Sequence, residues 1–361
     1  MLMPATPVTF ALRWLLDHGG PAVQYRSLVE VARLSGRFDV LPYSHHPALL
    51  LALQQGTDGS WGHSMLGIPT ARSAVFEGVG TINAVRRLLE YGWDPESPPI
   101  VHARRLLFRL LAEDDDPAFL FEFGGKGKAD EFMSRRARGI LREAAAAALA
   151  QAGYENDPRL RGCARRSLER VVGYLRSPLG QKPWVRVGNK QVLAADAHPP
   201  SIYTLLLLAH MPVFRSEHSD LIERLFQHLS QPLPRQEPVQ LCGEQLVPQP
   251  HLVLGDMLPN RNAADADVPS ALFWLELMAR LGYLRRSESW NKLFDRFLDA
   301  RDRDGVWRPH RGVTVPSRTT NPFLWPSFPL GDGSSEDERS AEVTFRLGLI
   351  ARLSGRPVEA I

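Results

Sequence analysis

A chain of 361 residues, 44% of them hydrophobic, carries enough apolar mass for one large core or two ordinary domains. No apolar run approaches the roughly 20 residues that cross a bilayer. Only two cysteines, Cys163 and Cys242, are present, which excludes a disulfide framework and fits a reducing, cytoplasmic setting. The net charge of +3 is small, and the basic residues, nearly all Arg, are not interleaved with aromatics. Neither a nucleic-acid partner nor a transmembrane segment is expected.

Apolar residues recur at helical spacing along most of the chain. The pattern predicts helices near residues 7–17, 21–34, 46–55, 71–91, 98–112, 130–153, 158–176, 200–211, 216–230, 265–282, 286–300 and 338–353. Pro21, after Gly19 and Gly20, suits a first helical turn. The run from Glu143 to Ala150 has the strongest intrinsic helix propensity of the chain. Paired as hairpins, these helices end near residues 55, 112, 177, 230 and 300. That spacing of roughly 50–70 residues exceeds the ~34–47 of common helical solenoids. Residues 183–193 read as a small β-hairpin turning at Gly188-Asn189. Residues 231–264, with six prolines, and 304–337 read as long irregular segments, either lids or decoration at one end of the helices.

Two helix ends share a sequence. Gln54-Gln-Gly-Thr-Asp-Gly-Ser-Trp61 is followed far downstream by Ala300-Arg-Asp-Arg-Asp-Gly-Val-Trp307. Gly59 and Gly305 permit the positive φ of a tight turn. Asp58 and Asp304 can accept from their own backbone two residues on. Trp61 and Trp307 then offer large apolar plates that wedge between neighbouring hairpins.

This pattern resembles the QW-type repeat of the prenyltransferase and squalene cyclase superfamily. The likeness is tight over Gln54–Gly62, keeps Asp-Gly-x-Trp at Asp304–Trp307, and retains only the Trp in Tyr174–Trp184. It implies an all-α fold: one domain over residues 1–361, an α/α toroid of about six helical hairpins. It also implies a central cavity that binds or acts on an apolar, isoprenoid-type small molecule. The alternative is a non-catalytic helical-repeat scaffold that binds a protein partner.

Class II terpenoid cyclases open an inner helix with Asp-x-Asp-Asp-Thr-Ala. Here Asp265 and Asp267 match the first two acids, and Val268 stands in place of the third. The resemblance implies Asp267 as a general acid and Asp265 as its neighbour. Protonating an alkene needs a strong acid in a dry, aromatic-lined cavity, and clustered carboxylates help one of them keep its proton. The residues themselves also read as a cap and a first-turn acid of the following helix, with Pro269 in its first turn. Tyr203, Phe273 and Trp274 lie on expected inner helices as candidate cavity-lining side chains. Asp196 and His198, ahead of the 200–211 helix, read either as a proton-relay pair or as a capped helix start.

A zinc prenyltransferase is disfavoured. Asp267 stands where a Cys ligand is needed, and Ser340–Gly348 contains no His. Cys242, Glu244 and His251 lack standard metal spacing, so neither a metal nor a cofactor is expected. The acidic run Glu113–Pro117 and the Gly-rich stretch Phe123–Lys128 read as solvated loops. The arginines Arg135, Arg136 and Arg138, and those from Arg159 to Arg170, form either a solvated helix face or a diphosphate or acidic-partner site, since Arg suits bidentate phosphate contacts.

Overall fold

The computed structural model describes residues 7–62, 64–67, 80–112 and 131–361. The molecule is mostly helical, with 54% helix and 9% strand. A short strand, β1 (Val8–Phe10), precedes α1 (Leu12–His18), α2 (Pro21–Arg26) and a π-helical turn at Ser27–Val31. Then come α3 (Val40–Ser44), α4 (His46–Leu53), α5 (Thr81–Glu90), α6 (Pro98–Leu111), α7 (Glu131–Gln151), α8 (Pro158–Arg176) and α9 (Pro178–Gln181). Strands β2 (Trp184–Val187) and β3 (Lys190–Leu193) lead to α10 (Ile202–Ala209), α11 (Pro212–Glu217) and α12 (Ser219–Leu229). Strands β4 (Val239–Cys242) and β5 (Gln245–Pro248) precede α13 (Arg261–Ala266), α14 (Val268–Arg280), α15 (Glu288–Asp299) and α16 (Glu336–Leu353), and β6 (Val358–Ala360) closes the described chain.

The helices follow the sequence periodicity over most of the chain, but α3 and the opening of α11 fall where none was expected, and three further corrections are needed. The expectation of an all-α chain is not met. Strands β2, β3, β4 and β5 form one sheet in that order, with β3 and β4 parallel at Leu193 and Gln240. The hairpin turning at Gly188 is as expected, but the Pro-rich segment supplies a second hairpin, β4–β5, whose turn uses Gly243 at φ 61°. The first expected helix gives residues 8–10 to β1, which pairs in parallel with β6. The helix expected over 265–282 breaks at Asp267, whose backbone is not helical (φ −148°, ψ 86°). The opening part of the helix expected over 71–91 lies outside the described residues, as do the acidic run at 113–117 and the Gly-rich stretch at 123–128.

Burial separates two kinds of helix. In α10 every residue is buried, and α5, α14 and α16 are buried on nearly every side. Helices α12 and α15 bury one face and show a polar one to solvent, the usual signature of an outer helix. The π turn after α2 packs on α16, α16 on α14, α14 on α10, α10 on α7 and α7 on α5. The path returns to α2 through an ion pair of 2.5 Å between Arg26 and Glu90. The Ala run of α7 lets α10 and α6 approach closely on either side of it.

The two Asp-Gly-x-Trp turns carry matching bonds. In the first, Gly56 N–H donates to Ser60 O and Gly59 N–H to Gly56 O; in the second, Asp302 N–H donates to Val306 O and Gly305 N–H to Asp302 O. Gly59 and Gly305 have φ of 85° and 78°. Trp61 and Trp307 are buried, and each backbone N–H donates at 3.0 Å to a threonine hydroxyl on a fully buried helix, Thr81 and Thr344. Asp58 accepts from Ser60 N–H as expected. In the second turn the accepting carboxylate is that of Asp302, which takes Asp304 and Val306 N–H at 3.0 Å each, rather than that of Asp304.

Candidate functional site

Asp267 caps α14. Its carboxylate accepts from Ser270 N–H at 3.1 Å and from Ser270 Oγ at 2.7 Å, and the residue is exposed. Asp265, near the end of α13, is gripped by Arg296 through both oxygens at 2.6 and 2.7 Å. The hollow beside it measures about 10 Å3. An exposed capping carboxylate and an ion-paired one lack the dry surroundings that alkene protonation needs. The geometry is that of the cap, not of the acid that the resemblance implied.

Trp274 is fully buried and meets Trp290 edge-on at 6.3 Å; Trp290 Nε1 donates to Asp256 at 2.9 Å. It is a core wedge between α14 and α15. Phe273 is half-buried and lines a hollow of about 20 Å3 with Leu324, Phe328, Glu342 and Arg346. Where a substrate cavity was expected among the inner helices, paired charges converge. Arg346 bonds Glu276 at 2.6 Å and Glu90 at 3.4 Å, and Glu276 also holds Arg280 at 2.9 Å. Burial pushes the carboxyls of Glu90 and Glu276 up, but the surrounding guanidinium groups hold both below the ordinary range.

A strap from Phe323 to Leu330 lies over this cluster and is clamped from several sides. Arg87 donates to the carbonyls of Trp325 and Pro329, Arg346 to that of Ser327, and His45 Nε2 bonds Leu330 O at 2.9 Å. Glu342 Oε2 accepts from Leu330 N–H at 3.0 Å, while its Oε1 is buried without a partner among the described residues. Burial pushes the Glu342 carboxyl up to about 7, against the opposing pull of Arg346 and the Leu330 amide.

Larger openings lie elsewhere, one of them of about 620 Å3 beside α6, edged by Arg104, Arg105, Phe108, Tyr154 and Arg159. A cleft of about 400 Å3 forms between α7, α8, the Ala195–Ser201 segment, β4 and the turn after β5. It brings together Asp196 and His198 with Arg136, Glu143, Arg170, Ser201, Gln240 and His251. Asp196 and His198 stand at its exposed rim. Partial burial, Arg170 and Arg136 lower the His198 pKa against the raising influence of Asp196. The His251 imidazole is pushed down to about 4 by burial and by Arg136, so it is neutral at pH 7. Tyr203 is buried behind the cleft, its ring stacked on His251 at 6.4 Å and edge-on to Phe323 at 5.9 Å. Glu143 pairs with Arg170 and accepts from Ser201 Oγ at 2.5 Å and Thr204 Oγ1 at 3.2 Å. Ile140, Val171, Pro199 and Leu252 form the apolar part of the wall.

Of the candidates read from sequence, the structure gathers Asp196, His198 and the arginines Arg136 and Arg170 at one cleft, with Tyr203 behind it. It places Asp265, Asp267, Phe273 and Trp274 elsewhere. His251, weighed from sequence only as a metal ligand, and Gln240, not singled out there, join the cleft from the Pro-rich segment. Comparison with protein-family models, with curated protein sequences and with solved structures finds no match.

Proposed function

We propose that the buried helices close as an α/α ring of the kind the Asp-Gly-x-Trp turns imply, and that the protein binds a small molecule in the cleft beside α7 and α8. The observation that carries this reading is the convergence of charged, imidazole and hydroxyl side chains with an apolar wall in one opening of pocket size. Support for the ring comes from the packing order, which leads from α16 round to α5 and returns to α2, and from the matched turns at Trp61 and Trp307. A ligand with an apolar body and a polar head fits the wall. This keeps the apolar-ligand expectation but moves it from Asp267 to the cleft.

Gly139 supplies the test. It lies within α7 and lines the cleft, and a Cβ added there meets nothing within 4 Å. Gly139→Leu pushes a bulky side chain into the opening while improving helix propensity by up to about 1 kcal/mol. A panel of small molecules is screened by thermal shift against the parent and this variant. Ligands that stabilise the parent and not the variant support the cleft; ligands that stabilise both equally refute it. One observation favours the scaffold reading. Leu50 and Leu53 on α4 are 48% and 81% exposed. Light scattering on the chain with both changed to Glu tests whether that face joins a second copy.

A further inference from the structure

The charges in the cleft do not balance locally. Arg170 is matched by Glu143, whose second oxygen is held by Ser201 and Thr204. Arg136 has no such match. Among the described residues its side-chain partner is the amide oxygen of Gln240, and its Nε is buried with no hydrogen-bond partner. Gln240 is fully buried, and its Nε2 donates to Ala194, Ala195 and Ala197 carbonyls at 2.9, 3.1 and 2.8 Å. All three partners are acceptors, so the amide nitrogen must face them and the oxygen must face Arg136. The guanidinium is thereby held in place at the cleft wall by a neutral group, with donors to spare.

A half-buried cation held by a neutral partner is costly unless an anion completes it. Burial accordingly lowers the Arg136 pKa against the pull of the neighbouring Cys242, and burial in turn raises that thiol's pKa, so it supplies no anion at neutral pH. The imidazoles nearby add no opposing charge: His251 is neutral at pH 7 and offers one N–H. The Ser201 hydroxyl on the wall is already committed to Glu143. Asp196 is a carboxylate of the cleft with no cation paired to it among the described residues, and it stands at the exposed rim, where solvent screens it. The planar fork of Arg fits two oxygens of one group, which a neutral or cationic ligand does not present.

Resting on the cleft reading, the geometry points to an oxyanion as the ligand's head, a phosphate ester or a carboxylate, with Arg136 as the residue that binds it and the apolar wall receiving the rest of the molecule.

The test is calorimetric titration of the full chain at low salt with phenyl phosphate and with benzoate. The two probes share a ring and differ in the oxyanion. The proposal expects at least one to bind; phenyl phosphate alone identifies a phosphate site, benzoate alone a carboxylate site. Arg136→Gln should weaken that binding by roughly tenfold to a hundredfold, the scale of a charge-assisted hydrogen bond. Arg136→Lys, which keeps the charge but not the fork, should retain part of it. Gly139→Leu should abolish it. The proposal is overturned if neither probe binds at millimolar concentration, or if Arg136→Gln binds as the parent does. Should neutral compounds from the screen bind in a manner that Gly139→Leu blocks while neither probe binds, the cleft stands and the oxyanion falls. Binding that survives Gly139→Leu removes the cleft itself.

Discussion

Replacing Glu342 by Gln should make the protein less sensitive to a rise in pH from mildly acidic to neutral. The carboxyl sits on α16 with one oxygen on the Leu330 amide and the other buried unpartnered among the described residues. Its pKa is raised from 4.5 to about 7, chiefly by burial. The unfolded chain releases this proton near pH 4.5, whereas the folded chain keeps it until about pH 7. Between those values the folded state binds more protons, so stability falls as pH rises. The contribution is fully present below pH 4.5 and lost once the pH has passed about 7. At about 1.4 kcal/mol per unit, the raised pKa corresponds to a loss of roughly 3 kcal/mol across the window. Gln mimics the protonated acid and should not show it. The assay is equilibrium urea unfolding followed by tryptophan fluorescence at pH 5, 6, 7 and 8 for both chains. Subtracting one profile from the other removes the titration of the histidines. The difference should be only about 1 kcal/mol at pH 5 and reach roughly 3 kcal/mol in favour of Gln at pH 8. A flat difference, or one that favours the parent as pH rises, would refute the reasoning.

Trp61→Ala should cost roughly 3–5 kcal/mol in urea unfolding, since it empties a fully buried site and frees Leu51 O, to which Nε1 donates at 2.7 Å. Arg346→Met should cost about 3–5 kcal/mol, because it leaves the buried carboxylates of Glu276 and Glu90 short of a partner; adding Glu276→Leu to it should recover part of the loss in the same assay. Asp267→Ala should cost only about 1 kcal/mol, the worth of a cap. A thermal melt that placed Asp267→Ala several times lower in stability would show that this carboxylate does more than end a helix.

Helices were legible because their signals are local. Pro98 and Pro158 each open a helix where one was expected, and the Ala run of α7 is helical by composition. The Asp-Gly-x-Trp turns were legible for the same reason: Gly59 must take a positive φ wherever the chain folds. The β4–β5 hairpin was not, because six prolines mask an alternation that becomes a strand only when Leu193 offers it an edge. The site was legible only in pieces. Arg136 and Arg170 look like any solvated arginines until Gln240, some 100 positions away, fixes the first and Glu143 neutralises the second. Glu276 and Arg346 did carry a signal that periodicity overlooks. Each is a charged residue inside an apolar run on a helix buried all round, and such a residue must find its partner across the fold.

The pairing of β1 with β6 sets a condition on how the chain becomes a protein. Val8 and Val358 are partners some 350 positions apart, and Phe10 and Ala360 extend the same ladder. During synthesis β1 waits for some 350 further residues before its hydrogen bonds with β6 can form, and the face of the π turn waits almost as long for α16 to cover it. Contacts of such high order slow assembly. Until the last helix emerges, Leu15, Val23 and Val31 are without their neighbours on α16, and the nascent chain shows an apolar edge that needs shelter.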